Sequence, residues 1–189
     1  MRTLRVVSCL SVLILLTGCI LSLYPYYTEE DIIFEKGLFG QWEGDNGDLW
    51  GFSQRGENAY TLIYTDSKGN QGMFIAHLFQ IDDKMFLDFY PEDPELNKSD
   101  FYNAHILLAH SFSHIKKIEP ELQMIFPDYR WLENHLKENP DAIRHEIIDT
   151  QIVLSAPTEE LQAFWIKHLA TEDAFIEPVT MQLRKPQDE

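Results

Sequence analysis

The sequence predicts a mainly β domain of the α+β kind: an antiparallel meander closed into a barrel and carrying two amphipathic helices. Three observations predict it. Short apolar runs follow one another from residue 39 to residue 90 with turn chemistry between them and no helical period. Several of these runs are apolar on both faces, so a covering layer must lie outside the sheet. So many consecutive antiparallel strands would also leave an unpaired edge unless the sheet closes on itself.

The elements follow in order. "FGQWEG" and "LWGFSQ" flank Asn46-Gly47, a pair that accepts the positive φ values of a tight hairpin. "AYTLIYTD" sets Tyr60, Leu62 and Tyr64 on one face and Thr61, Ile63 and Thr65 on the other. The polar loop "DSKGNQG" leads into "MFIAHLFQI", and Asp82-Asp83 turns that run into "KMFLDFY". Beyond the acidic loop "PEDPELNKSD", the run "HILLAHSFSHIKKI" (105–118) reads as one long or bent strand, which Glu119-Pro120 turns into "ELQMIF". Asp128 is a good N-cap for the helix "YRWLENHLKEN", whose apolar stripe is Trp131, Leu132, His135 and Leu136. "RHEIID" and "QIVLSA" form a further hairpin. Thr158 then caps "EELQAFWIKHLA", with Glu159 and Glu160 in the first turn, where the helix dipole favours anions. "PVTMQLRK" is the last strand, and neither a repeat nor a domain boundary interrupts the series.

Ahead of this domain the chain has a different character. Arg2 and Arg5 precede an apolar stretch from Val6 to Leu16, too short for a bilayer-spanning helix of roughly 20 residues and suited to the apolar part of a secretory signal. The Leu16-Thr17-Gly18-Cys19 that follows resembles the lipobox of bacterial lipoproteins. That resemblance implies cleavage between Gly18 and Cys19 and acylation of both the Cys19 thiol and the new amino terminus. Membrane attachment through more than one chain is stable. The implied organisation is a signal peptide at 1–18, a lipidated Cys19 with a tether at 19–37, and one β-rich domain at 38–189. Tyr24, Tyr26 and Tyr27 in the tether either sit at headgroup level or pack on the domain. Ile20 after the cysteine favours the outer membrane, facing the periplasm.

Cys9 leaves with the signal, so the mature domain has no disulfide and depends on its core. The formal charge of −16 deepens to −18 once Arg2 and Arg5 are removed. Such a surface repels phosphate backbones, and nucleic acid is excluded as a partner.

Gly40-Gln41-Trp42, at the entry to the first strand, resembles the Gly-x-Trp signature of lipocalins. The resemblance implies that Trp42 plugs the closed end of a barrel, with an arginine of the last strand, here Arg184, lying across the indole. The helix "YRWLENHLKEN" departs from that family's pattern, so the expectation is a lipocalin-like barrel. The whole chain also resembles a family of bacterial lipoproteins with no known activity.

Chemistry is thinly represented. His110 and His114 on one strand would stand about 13 Å apart, too far to share an ion. His105 faces the other side, and no metal or cofactor motif is present. Ser111 and Ser113 next to these histidines do not form a nucleophile–base pair. Asp88, between Phe86 and Tyr90 on one strand face, is a candidate buried acid, serving either a site or an ion pair with a lysine or arginine. Nothing here supports an enzyme; a carboxylate-dependent envelope hydrolase is the residual enzymatic reading. The aromatics are the richer signal, with 12 Phe, 8 Tyr and 4 Trp. Tyr60, Phe74, Phe79, Phe86 and Phe89, with Trp42, either line a ligand cavity in the barrel or fill it. The expected function is therefore a membrane-anchored, non-enzymatic binding or accessory module of the cell envelope. It either takes a small apolar ligand or, if the barrel is solid, docks a protein partner.

Overall fold

The computed structural model describes residues 19–92, 99–103 and 105–184. The segment expected as a signal peptide, with the expected cleavage residue Gly18, lies outside these, as does most of the acidic loop after residue 92.

Eight strands close a barrel, as expected. β2 (Gly40–Gly44), β3 (Leu49–Arg55), β4 (Ala59–Thr65), β5 (Gln71–Ile81), β6 (Lys84–Pro91), β7 (Ser111–Lys117) and β8 (Glu121–Ile125) form the meander. β11 (Val179–Leu183) closes it by pairing with both β8 and β2, all antiparallel. The turns act where the sequence placed them. Gly47 takes φ 81° in the first hairpin, and Asp82 takes φ 52° in the connection between β5 and β6. Gly40 at the start of β2 has φ 118°, and a Cβ there would come 2.7 Å from Leu183 Cδ1. The positive φ reserves that position for glycine, since the exposed Leu183 side chain could turn aside for a Cβ.

A second layer covers one side. β1 (Leu21–Ser22) pairs in parallel with β10 (Gln151–Leu154), which pairs with β9 (His145–Ile148). α2 (Tyr129–Glu138) and α3 (Thr158–His168) pack with this small sheet. A four-residue helix, α1 (Asp100–Asn103), precedes β7. Asp128 caps α2 as predicted, accepting from the Arg130 and Trp131 N–H groups. α3 differs: Pro157 is its N-cap, and the Thr158 hydroxyl instead donates to the Pro25 carbonyl, 2.9 Å away.

Two corrections follow from the layer. The long strand expected at 105–118 begins only at Ser111. His110 makes an isolated bridge to Ser22, while the neighbouring β6 runs out at Pro91, which has no N–H to offer a ladder. The segment expected as a tether is folded onto the barrel. Ile20, Ser22 and Tyr26 are buried, Tyr27 is half-buried, and Tyr24 stays exposed.

The apolar residues therefore form two cores, one inside the barrel and one between its outer wall and the covering layer. The outer core joins Phe79, Phe86 and Phe112 of the wall to Ile20, Tyr26, Leu132, Leu136, Leu161, Phe164 and Trp165 of the layer. This is the cover that strands apolar on both faces require.

Candidate functional site

The aromatic residues of the sequence point to the barrel interior. Trp42, Tyr60, Leu62, Leu78, Leu87, Leu122 and Met124 all face inward, and none is more than 1 % exposed. Phe89 is buried with them, and Phe74 packs against the same cluster at its margin. Residues 33–39 cross one end. There Leu38 is enclosed, Phe34 stacks on Tyr60 at 4.9 Å, and the Tyr60 hydroxyl accepts from Glu35 N–H and donates to the Glu35 carbonyl. The indole of Trp42 donates to the Leu38 carbonyl at 2.9 Å, which ties this cap to the first barrel strand. The interior is filled by its own side chains, as small eight-stranded barrels often are.

Phe79 and Phe86 do not belong to that interior. Successive residues alternate across the wall, and Leu78 and Leu87 take the inward places of their pair. Phe79 and Phe86 therefore meet on the outside, stacked at 5.4 Å beneath the covering layer. Arg184 is also outside. Its guanidinium lies 3.5 Å from Glu43 and 3.4 Å from Gln41, the two residues that flank Trp42 and point away from it. The expected seat of the arginine across the indole is replaced by an exposed polar cluster, because β2 alternates and Arg184 falls in register with Gln41.

Asp88 is fully buried under the covering layer. Its carboxylate accepts from the Tyr26 backbone N–H at 3.1 Å and meets His110 Nδ1 at 2.9 Å. Its partner is thus an imidazole and a main-chain amide, where a lysine or arginine was the expected one. His77 stands opposite Asp88 in the β5–β6 pairing, its ring 4.5 Å from Tyr27, while Tyr90 lies 4.5 Å from His110. His110 also exchanges both backbone hydrogen bonds with Ser22. Burial and the nearby Asp88 charge raise the Tyr26 hydroxyl well above its ordinary range, and the same two causes push Tyr27 up to about 12. With both carboxylate oxygens engaged and no water access, Asp88 clamps the N-terminal segment to the barrel rather than meeting a substrate.

Ser113 is buried, with its hydroxyl on Met124 Sδ at 3.5 Å. His105 lies against Phe101, at 4.8 Å.

Buried imidazoles give the fold a pH dependence. His114 packs on Phe86 at 5.0 Å with Nδ1 unpartnered, and burial, then Lys116 and Lys84, lower it to about 4. Burial lowers His77 and His168 in the same direction. The unfolded chain then binds protons that the native chain refuses, so stability is full above the ordinary histidine value and is lost as pH falls from about 6.5 toward 4. Between pH 7.5 and pH 4.5 His114 alone should contribute about 2 kcal/mol to this loss. Urea unfolding at pH 7.5 and pH 4.5 checks it: His114→Leu should flatten the slope, and an unchanged slope would place the effect elsewhere.

A cleft of about 600 Å³ opens on the covering layer, away from the barrel interior. One wall is the α2 stripe Trp131, Asn134, His135 and Glu138 with Asp128 and Arg130 at its start, and the other is Asp173, Phe175, Ile176 and Glu177. Backbone bonds hold the walls together: Asp128 N–H donates to the Ala174 carbonyl and Ile176 N–H to the Phe126 carbonyl, each at 2.9 Å. Behind the cleft, the His135 ring stacks on Trp131 at 4.8 Å, and both touch His168, whose Nε2 is buried without a partner.

The stripe that the sequence predicts for α2 holds Trp131 and His135 together with Leu132 and Leu136. Leu132 and Leu136 are buried in the outer core, while Trp131, which packs against that core, and His135 also line the cleft. The loop that carries Asp173 and Glu177 has no motif that would reveal them. Among the described residues no group of acids, histidines and cysteines could hold a metal ion, and no helix is long and apolar enough to cross a membrane. Compared with family models, with curated proteins and with solved structures, the chain finds no match in any of the three.

Proposed function

We propose that this protein is a lipid-anchored module of the bacterial cell envelope, with a filled lipocalin-like barrel as scaffold and the α2 cleft as its binding surface. The observation that carries the reading is the contrast between an interior occupied by its own side chains and a cleft of about 600 Å³ outside it. A cleft of that size suits a small molecule or the tip of a partner chain. The anchoring half of the reading rests on the Leu-Thr-Gly-Cys motif. It is supported by the geometry at its end, where Cys19 is exposed and Ile20, the next residue, is buried. An acylated Cys19 would thus hold the domain close against the outer membrane with little slack between them.

Metabolic labelling with palmitate and membrane fractionation test the anchor. The wild type should be labelled and membrane-bound, and Cys19→Ala should be unlabelled and soluble; a labelled, membrane-bound variant would overturn the anchoring. Native mass spectrometry from the protein's own membrane tests the binding surface. A bound mass lost from Trp131→Ala and kept by Leu62→Ala supports the cleft, and the reverse pattern returns the ligand to the barrel.

A further inference from the structure

We infer that the tip of the β9–β10 hairpin rests on the lipid bilayer beside the anchor, with Ile147 and Ile148 entering the boundary between headgroups and acyl chains. The inference rests on the reading of Cys19 as the lipidated residue and is independent of any ligand of the cleft.

Strand register brings the cysteine and the hairpin tip together. β1 runs parallel to β10 with Leu21 opposite Val153, and Gln151 pairs with Ile148. Burial alternates through Cys19, Ile20, Leu21 and Ser22, which carries the extended backbone of β1 back to the cysteine. Two residues before Leu21, Cys19 therefore stands level with Gln151 and Ile148, in one row across the small sheet. With neighbouring strands about 4.8 Å apart, that row sets Ile148 about 10 Å from Cys19.

The end of that row is apolar and open. Ile147 is 66 % exposed and Ile148 56 %, and both lie on β9, an edge strand of the sheet. A single surface isoleucine needs no explanation. Two adjacent ones on an open edge are different, because such an edge invites pairing with another chain and is ordinarily blunted by charge. A bilayer is the cover that fits, since the acyl chains of Cys19 enter it from the same row. Charge then sets the depth. Asp149 at the turn and Glu146 behind it are exposed, so the tip stops in the interface, about 5–10 Å deep, where carboxylates keep their water.

The experiment uses the mature protein from its own membrane, with labelled isoleucine methyls, in nanodiscs of zwitterionic phospholipid. Intact mass reads the acyl chains on Cys19, and NOEs from lipid acyl protons read contact with individual methyls. Ile147 and Ile148 should show these NOEs, and Ile33, which packs at the capped end of the barrel, should show none. Amides of residues 147–151 should also exchange about tenfold more slowly in nanodiscs than in soluble Cys19→Ala. Ile147→Ser with Ile148→Ser, two exposed positions, should stay acylated and bound yet lose that difference. Acylated protein in nanodiscs without NOEs at the two isoleucines overturns the inference and leaves the anchor standing; a protein partner would then be the cover of this edge. NOEs spread equally to Ile33, or a double variant that keeps the slow exchange, overturn it as well. A mass without acyl chains overturns the anchor, and this inference falls with it.

Discussion

Trp42→Ala should lower the free energy of unfolding by about 4 kcal/mol, the range for removing a fully enclosed indole from a packed interior. The side chain is 1 % exposed, and its Nε1–H satisfies the Leu38 carbonyl inside the cap that closes the barrel. Alanine would leave a cavity and a buried carbonyl without a donor, and both costs fall on the same end of the barrel. A domain of this size has roughly 5–15 kcal/mol in total, so the loss is a large fraction of what holds it. Arg184→Ala should change stability by no more than about 0.5 kcal/mol, because its contacts to Glu43 and Gln41 are exposed and screened. Urea unfolding of the two variants separates two architectures. Were the arginine seated across the indole, as the Gly-x-Trp resemblance implies, its loss would cost about 1 kcal/mol or more. If Trp42→Ala is too unstable to purify, Trp42→Phe should retain the fold at an intermediate cost. A Trp42→Ala protein as stable as wild type would overturn the role given to the cap.

The meander was legible because its turns announce themselves locally. Asn46-Gly47 and Asp82-Asp83 need only their own backbone preferences to fold, and the alternation in "AYTLIYTD" already assigns Tyr60 and Leu62 to one face. Which face is the inside is a different kind of information. Phe79 and Phe86 are as apolar as Leu78 and Leu87, and a sheet buried on both sides gives the sequence no polar face to mark the exterior. The answer depends on the covering layer, assembled from residues far away in the chain. The same remoteness hid the path of the N-terminal segment. β1 is two residues long and pairs in parallel with β10, more than a hundred positions on, too short a run to leave a periodic signal. The cleft has the same origin. Of its α2 wall only Trp131 and His135 belong to the stripe the sequence predicts, and Asp173 and Glu177 come from an irregular loop that only the tertiary fold brings opposite. Asp88 lies between the two cases. Two aromatic neighbours on its strand face revealed its burial, while its partners, His110 and the Tyr26 amide, could be named only once the segment was seen to cross it.

Asp88→Ala should cost about 3 kcal/mol and should loosen the N-terminal segment before the barrel itself opens. The carboxylate is the acceptor for the Tyr26 N–H and for His110 Nδ1, and alanine leaves both donors buried without a partner. His110 carries the loss further, because the same residue exchanges two backbone bonds with Ser22. Residues 20–27 would then be held by β1 pairing, by Thr158 and Gln162 on the carbonyls of Pro25 and Tyr26, and by apolar packing. Hydrogen exchange distinguishes this from a general weakening. The Tyr26 and Ser22 amides should exchange far faster in Asp88→Ala than in wild type, while β3 and β4 amides stay within the shift set by global stability. Asp88→Asn offers an oxygen to one donor but turns an amine toward the other, so it should fall between the two. Retained protection at Tyr26 in Asp88→Ala would mean that packing alone holds the segment. Should acylation of Cys19 hold the domain at the membrane, this clamp is also the connection through which the barrel is kept there. Loosening it would then lengthen the tether from a residue or two to nearly ten, and Asp88→Ala should leave the membrane-bound protein newly open to protease between Cys19 and Thr28, with the barrel strands still protected.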